Sequence, residues 1–326
     1  MSGPGASRLS AWIAGIALAG LATGAQAQAW PQRVVRIVVP FSAGSGGDVV
    51  ARIYTPRLVE STGQQFLVEN RAGAAGNIGA EAVARSAADG YTWVLAPASL
   101  ASSQSMVKAP PFDLVKDFEP SAIMASLPFV MVVNPKLPAN SVREFVALAK
   151  ARPGQLNYAS SGVGGAGHLS TELFRTMADI NLVHVPYKAG TDGMPDLISG
   201  QISMMITAIT VVMPHVKAGR LRALAVTSPK RSQLVPDIPT VAELGFSGYS
   251  AGTWHALLAP AGTPKAIAQQ LNKLVVGTGQ EADIRNKLLS QGAEPESETP
   301  DQVRTFIAAE VVKWGKVIKA AGVQGE

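Results

Sequence analysis

The feature that most limits how this chain can fold is a regular alternation of short apolar runs with longer helical patterns, broken by glycine. "RVVRIVVPF" (33–41) reads as a buried strand, and "GGDVVARIYTPRLVEST" as the helix after it. "QFLVEN" (65–70) is a second strand, "GNIGAEAVARSAADG" a second helix stopped by Gly90, and "YTWVLAPA" a third strand. Strands alternating with helices in this way predict βαβ units, and so a parallel sheet with helices on both faces. After "PFVMVVNPKLPANS" the series restarts with a helix ("VREFVALAKARPG"), a strand ("LNYASS") and a helix ("HLSTELFRTMA"), followed by "NLVHVPY", "GMPDLISG", "ISMMIT" and "LRALAVTS". Two α/β halves in succession predict two lobes, with the Pro-rich stretch Asn134–Pro138 as the first crossing between them. A late segment, "TWHALLAPAGTPKAIAQQLNKLV", reads as a strand feeding a long helix that opens at Lys265. It returns the chain to the first lobe. The expected division is a discontinuous first lobe, residues 30–134 and 253–326, and a second lobe, 135–252. Two crossings make a hinge, because a few residues absorb the rotation.

The first residues, "MSGPGASRLSAWIAGIALAGLATGAQAQAW", place Arg8 before an apolar stretch from Ala11 to Ala22 and close on small residues. That is the order of a secretory signal peptide, here residues 1–29, with cleavage after Ala27 or Ala29. The stretch is short and glycine-rich for a membrane span, which needs about 20 apolar residues. The expected location is therefore the periplasm. No cysteine is present, so neither a lipid anchor at the cleavage site nor a disulfide is available, and the core must hold the fold. With 47% apolar and only 16% charged residues, that core is well supplied. The net charge of +5 is spread thinly, without the basic stripe that nucleic-acid binding requires. It supports no more than a weak attraction for anionic solutes.

Chemistry is concentrated in two glycine loops. "SSGVGGAGH" (160–168) contains a G-x-G-x-x-G at Gly162, Gly164 and Gly167, between a strand and a helix. A dinucleotide site also wants an acidic residue about 20 positions later; Asp179 falls short of this and Asp192 overshoots. The first half carries its own loop, "PFSAGSGGDVV" (40–50), in the equivalent position. In open α/β sheets ligands bind beyond the carboxyl ends of strands, and the free amides of a helix N-terminus attract anions. Two such loops across a cleft would grip an anion from both sides, mostly through the backbone amides of 43–47 and 160–165. Asp48 reads as the N-cap of its helix. Catalysis finds no support. Neither Ser45 nor Ser161 sits in a G-x-S-x-G elbow, and His168, His184, His215 and His255 lack metal-ligand spacing. His168 reads as a structural residue in the first turn of its helix, and His184 as a strand residue that could face either way. Asp192 and Asp196 read as turn and helix-start residues. No metal or cofactor is expected.

The order of "RIVVPFSAGSGGDVVAR", "FLVENRAGAAGNIGAEAVA", "HVPYK", "PDIPTVAELGF" and "APAGTP" resembles the periplasmic solute-binding proteins of the tripartite tricarboxylate transporter type, the Bug family. The resemblance runs along the whole chain after the leader. It implies a type II periplasmic-binding fold: α/β, two lobes joined by a two-segment hinge, with a ligand cleft between them. It also implies capture of an organic anion by lobe closure for delivery to membrane subunits of the transporter, by a monomer. Carried onto this chain, the resemblance places the ligand against Phe41, Ser42, Ala43, Gly44, Ser45, Gly46 and Gly47 of the first loop, with Ser99 beyond the third strand. Ser160, Ser161, Gly162, Gly164, Gly165, Ala166 and His168 supply the second loop, and Thr207, Ala208 and Thr210 a third wall. The family often has Asp-Asn at 207–208, hydroxyl residues at 165–167 and Thr at 47. The replacements here remove hydrogen-bonding side chains and add room. They imply an acid with an apolar body, such as an aromatic or medium-chain dicarboxylic acid, rather than a hydroxylated or amino acid. The glycine motif is then an anion-gripping loop. An exported α/β enzyme acting on a similar acid, and a loaded partner of a sensor kinase, are the alternative readings.

Overall fold

A computed structural model describes residues 30–188 and 191–323. The expected leader, 1–29, lies outside the described residues. The chain divides into a short N-terminal unit, 1–32, and a body, 33–326. The strands of the body are β1 (Val35–Val39), β2 (Phe66–Asn70), β3 (Thr92–Pro97), β4 (Phe118–Val133), β5 (Asn157–Ser160), β6 (Val183–Pro186), β7 (Met204–Ala208), β8 (Arg222–Val226) and β9 (Gly252–Pro260). Its helices are α1 (Gly46–Thr62), α2 (Asn77–Ala84), α3 (Ser99–Met106), α4 (Val142–Ala151), α5 (Ala166–Ala178), α6 (Met194–Ser199), α7 (Ile209–Lys217), α8 (Lys265–Gln280), α9 (Ala282–Ser290) and α10 (Pro300–Ala321).

The α/β alternation holds, but the expected parallel sheet is mixed. β1 pairs in parallel with β2 and β3, and β5 with β6 and β7. Between these two parallel sets lie β9 and β4, which run antiparallel to their neighbours. The order is β2-β1-β3-β9-β4-β7-β5-β6, with β8 also on β4. β4 is thus the axis of the molecule. Its first part, Phe118–Pro128, pairs with β9, and its last part, Phe129–Val133, pairs with β7 and β8. The change of partners falls at Pro128–Phe129, inside one strand. The Pro-rich stretch from Asn134 is a turn after β4, where the Asn134 side-chain Nδ2 donates to the carbonyls of Leu197 and Ile198. Gly252, at φ +144°, allows β9 to start where a Cβ would stand 3.0 Å from the Leu127 carbonyl oxygen.

The period-2 alternation of strands distributes the core. Met131 and Val133 of β4, with Met204 and Ile206 of β7, face a large cluster that includes Phe145, Phe174 and Trp254. Val130, Val132 and Met205 face the other way, onto Leu197, Ile209 and Val212. Helix ends follow local chemistry. α1 starts at the Ser45 N-cap and stops at Gly63 in the left-handed region. α10 opens on a Thr299–Gln302 capping box with Pro300 in the first turn. α2 ends at Ala84, capped by Arg85 and earlier than expected, and Gly90 (φ +81°) belongs to the turn before β3.

Candidate functional site

The first glycine loop is tied down from within. Ser45 accepts from the Asp48 amide, so the N-cap is Ser45 and not Asp48. Asp48 closes the box in the other direction. Its buried carboxylate accepts from the Gly44 amide at 2.9 Å, from Asn70 Nδ2 at 3.0 Å and from Arg52 Nε at 3.0 Å. Burial opposes its ionisation, yet the bonds from Arg52, Gly44 and Asn70 outweigh that and hold its pKa below the usual carboxylate value. Asp48 therefore serves the loop rather than a ligand. The Gly44 amide is spent on it and the Ser45 amide on Ser42. The amides of Gly46 and Gly47, in the first turn of α1, have no acceptor among the described residues and face an open cavity.

The second loop is built by the same logic with different residues. The Gly164 amide donates to His168 Nδ1 at 3.0 Å, one turn into α5, so His168 is the loop's internal acceptor. The Gly165 amide bonds to the Gly162 carbonyl, and the Gly162 amide to Ser160 Oγ. The amides of Ala166 and Gly167, in the first turn of α5, likewise have no acceptor among the described residues, and Ala166 borders the main cavity. Gly167 is glycine for a packing reason: a Cβ there would lie 2.8 Å from the Ile206 carbonyl oxygen of β7. The expectation that glycine at 167 adds room for a ligand is therefore replaced by close helix–strand approach.

Behind this loop His168, His184 and Tyr158 are stacked, with 4.2 Å between the imidazole centroids and 4.8 Å from His184 to Tyr158. Ser160 Oγ lies 2.7 Å from His184 Nε2. The Tyr158 hydroxyl donates to Glu172, which Arg175 also holds. Burial lowers the pKa of His168, and burial with the neighbouring His168 brings that of His184 down to about 4. The Glu172 carboxyl is held below its usual range because the bonds from Arg175 and Tyr158 outweigh its burial. These side chains border a separate cavity of about 430 Å³. They do not line the main one.

The main cavity, about 910 Å³, brings together Phe41, Ser45, Gly46, Gly47, Ser99, Gly164, Gly165 and Ala166 of the expected set. It is not lined by Ser42, Ala43, Gly44, Ser160, Ser161, Gly162, His168, Thr207, Ala208 or Thr210. Thr207 and Ala208 are taken into the sheet opposite Val130 and Phe129. Thr210 lies on the outside of α7 against Gly292. Several wall residues were not expected. Ala74 and Ala75, both at positive φ, form a turn before α2, and the Ser99 hydroxyl donates to the Ala75 carbonyl at 3.2 Å. Trp314 of α10 closes one side, its indole N–H held by buried Glu310 at 2.9 Å. Thr253 and His255 of β9 also face the cavity, whereas Trp254, Ala256 and Leu258 face the core. Polar residues at i and i+2 of an apolar strand were the signal that could have found them.

The lining contains no Asp, Glu, Lys or Arg. Its polarity comes from helix N-termini, those of α1, α3 and α5, and from hydroxyls, the Asn77 amide and one imidazole. The same lining holds Phe41, Pro97, Met106, Leu127, Val163 and Leu169. Such a site can hold negative groups on uncharged donors at its ends and an apolar body between them. A mixed α/β sheet with a cavity of this kind at its centre defines a solute-binding protein of the periplasmic type.

Comparison with known proteins narrows this class. Residues 50–323 match the family described as tripartite tricarboxylate transporter family receptor. Protein BugT of Bordetella pertussis is 40% identical over 313 residues, 95% of each chain. The structure of R. palustris Rpa4515 with adipate is 37% identical, covers 91% of this chain and all of that one, and superposes with a TM-score of 0.70. A TctC solute-binding protein from Polaromonas, with no ligand, is 26% identical over 89% of this chain and 99% of its own, with a TM-score of 0.83. MatC of Rhodopseudomonas palustris with bound malate is 29% identical over 89% of this chain and all of that one, with a TM-score of 0.66. The chain belongs to the tripartite tricarboxylate transporter receptor family, the Bug proteins.

Proposed function

We propose that this receptor captures a dicarboxylic acid with an apolar middle by closing two α/β lobes on it. The observation that carries the reading is the main cavity itself: helix N-termini from both glycine loops, a set of apolar side chains, and no charged side chain in its lining. A diacid seats each carboxylate on a helix terminus, a contribution of about 0.3–1 kcal/mol apiece and more where buried. Hydroxylated or amino groups in the middle would lie against apolar walls unpaired, at about 1–3 kcal/mol for each. The free amides of Gly46 and Gly47 take one end and that of Ala166 the other. Val163, exposed at the tip of the second loop, covers the apolar body. Relatives bound to adipate and to malate support a diacid; the lining favours the one without a hydroxyl.

The lobes in this reading are residues 33–128 with 252–323, and 129–251, hinged where β4 changes partners and where β9 begins. Closure is supported by the superpositions. The ligand-free Polaromonas protein fits better than the adipate-bound one despite its lower identity. That is the pattern expected when an open cleft is compared with a closed one. The protein is exported, its leader cleaved after Ala27 or Ala29, and it acts as a monomer that hands its ligand to membrane subunits.

A thermal-shift screen of the mature chain against adipate, suberate, terephthalate, malate and aspartate tests the ligand class. A ligand at 100 times its Kd stabilises the folded state by about 2.7 kcal/mol. Adipate, suberate or terephthalate is expected to give the largest shift. Tightest binding of aspartate or malate would overturn the reading of the lining.

A further inference from the structure

His255 is the one imidazole in the main lining, and its surroundings are unusual. The side chain is only 6% exposed, and Nδ1 is sealed from solvent with no hydrogen-bond partner among the described residues. The ring lies along the first turn of α1. A Cβ on Gly47 would meet its Cε1 at 3.3 Å and Nδ1 at 3.4 Å, and a Cβ on Gly46 would stand 3.8 Å from Nε2. We propose that His255 is a ligand-contacting residue, donating from Nε2–H to the carboxylate seated on α1, and that position 47 is glycine to make room for the ring. The assignment rests on the solute-binding reading above.

The tautomer decides which nitrogen donates. A neutral imidazole carries one proton. Placed on Nδ1, it would be a buried N–H with no acceptor, which folded proteins avoid more strictly than a vacant lone pair. The proton therefore sits on Nε2, at the cavity side of the ring. Burial brings the pKa of His255 down to about 4, so the ring stays a neutral donor through the physiological range. Together with the free amides of Gly46 and Gly47 it makes a cluster of donors with no carboxylate in the lining to balance them. That end of the cavity accepts a carboxylate and repels an ammonium group. The inferred class is a diacid carrying no amine at the α1 end; α-amino acids are rejected by an unmatched donor cluster rather than by size.

The test is calorimetry with the tightest binder among adipate, suberate and terephthalate, using His255→Ala, His255→Gln, Gly47→Ala and the Gly47→Ala/His255→Ala double variant, with circular dichroism to show that each is folded. His255→Ala is expected to weaken binding about tenfold or more, the usual loss for a hydrogen bond to a charged group. His255→Gln, which keeps a donor, recovers part of it. Gly47→Ala weakens binding when His255 is present and has little effect when it is absent. In ¹⁵N-histidine spectra one Nε2-protonated ring responds to the diacid, and that response is missing in His255→Gln. Equal affinity of His255→Ala and the parent chain, or histidine signals unmoved at saturation, would overturn the assignment while leaving the receptor function intact. A parent chain that binds none of the three diacids overturns the functional reading, and this assignment with it.

Discussion

Gly167→Ala separates two meanings of a glycine in a binding loop. If Gly167 provides ligand space, the substitution changes affinity and leaves the unliganded protein as stable as before. The structure favours the other meaning, because the added Cβ would lie 2.8 Å from the Ile206 carbonyl oxygen, a backbone atom that cannot swing away. Overpacking of this kind costs about 1–3 kcal/mol. Against it stands the gain of about 0.5–1 kcal/mol that alanine brings to a helix in place of glycine. The net is about 0–2.5 kcal/mol of destabilisation, or a fall in Tm of up to about 4 °C for a chain of about 300 residues. Gly277 is the control. It lies inside α8 with nothing within 4 Å of its added Cβ, so Gly277→Ala should raise Tm through propensity alone. Differential scanning calorimetry on the two single variants without ligand reads opposite signs from one chemical change. A Gly167→Ala protein as stable as Gly277→Ala would refute the packing argument and return position 167 to the ligand.

Gly164→Val combines a left-handed backbone, φ +76°, with a Cβ that would run into the methyl carbon of Met106 across the cavity; binding should be lost while circular dichroism stays unchanged, and retained affinity counts against the loop's role. Thermal stability should fall as pH drops from about 6.5 toward 4, because His184 and His255 have folded pKa values of about 4, below the unfolded value. Their neutral forms favour the fold above the unfolded pKa, and that contribution is lost on the way down through the folded one. His184→Gln should flatten part of the Tm–pH curve, and an unaltered curve would remove His184 from the account. Small-angle scattering should show a smaller radius of gyration at saturating diacid; an identical radius, with binding confirmed by calorimetry, argues against a closing cleft.

What the sequence determined by itself was the local chemistry. Short apolar runs and glycine stops are properties of neighbouring residues, so the α/β alternation, α1 and the two glycine loops were legible. The α10 capping box, Thr-Pro-Asp-Gln at 299–302, was equally local and could have been read. Tertiary structure decided which face of each segment meets which partner. β4 carries Pro128 where it leaves β9 for β7, but a strand changes neighbours without changing its own backbone, so the local sequence did not show that its partners differ on the two sides of Pro128–Phe129. Asp48 became a loop brace only when Asn70, 22 residues away, and the Gly44 amide met its carboxylate. Thr207 and Ala208 are paired in register with Val130 and Phe129 of β4, a long-range match that no local pattern shows. His255 and Trp314 entered it from β9 and α10, brought there by the pairing of β9 with β3 and by the Glu310 carboxylate, which accepts from the indoles of both Trp254 on β9 and Trp314. A sequence records which groups can donate, accept or avoid water; only the packed chain determines which of them are already satisfied, and the site is made of those that are not.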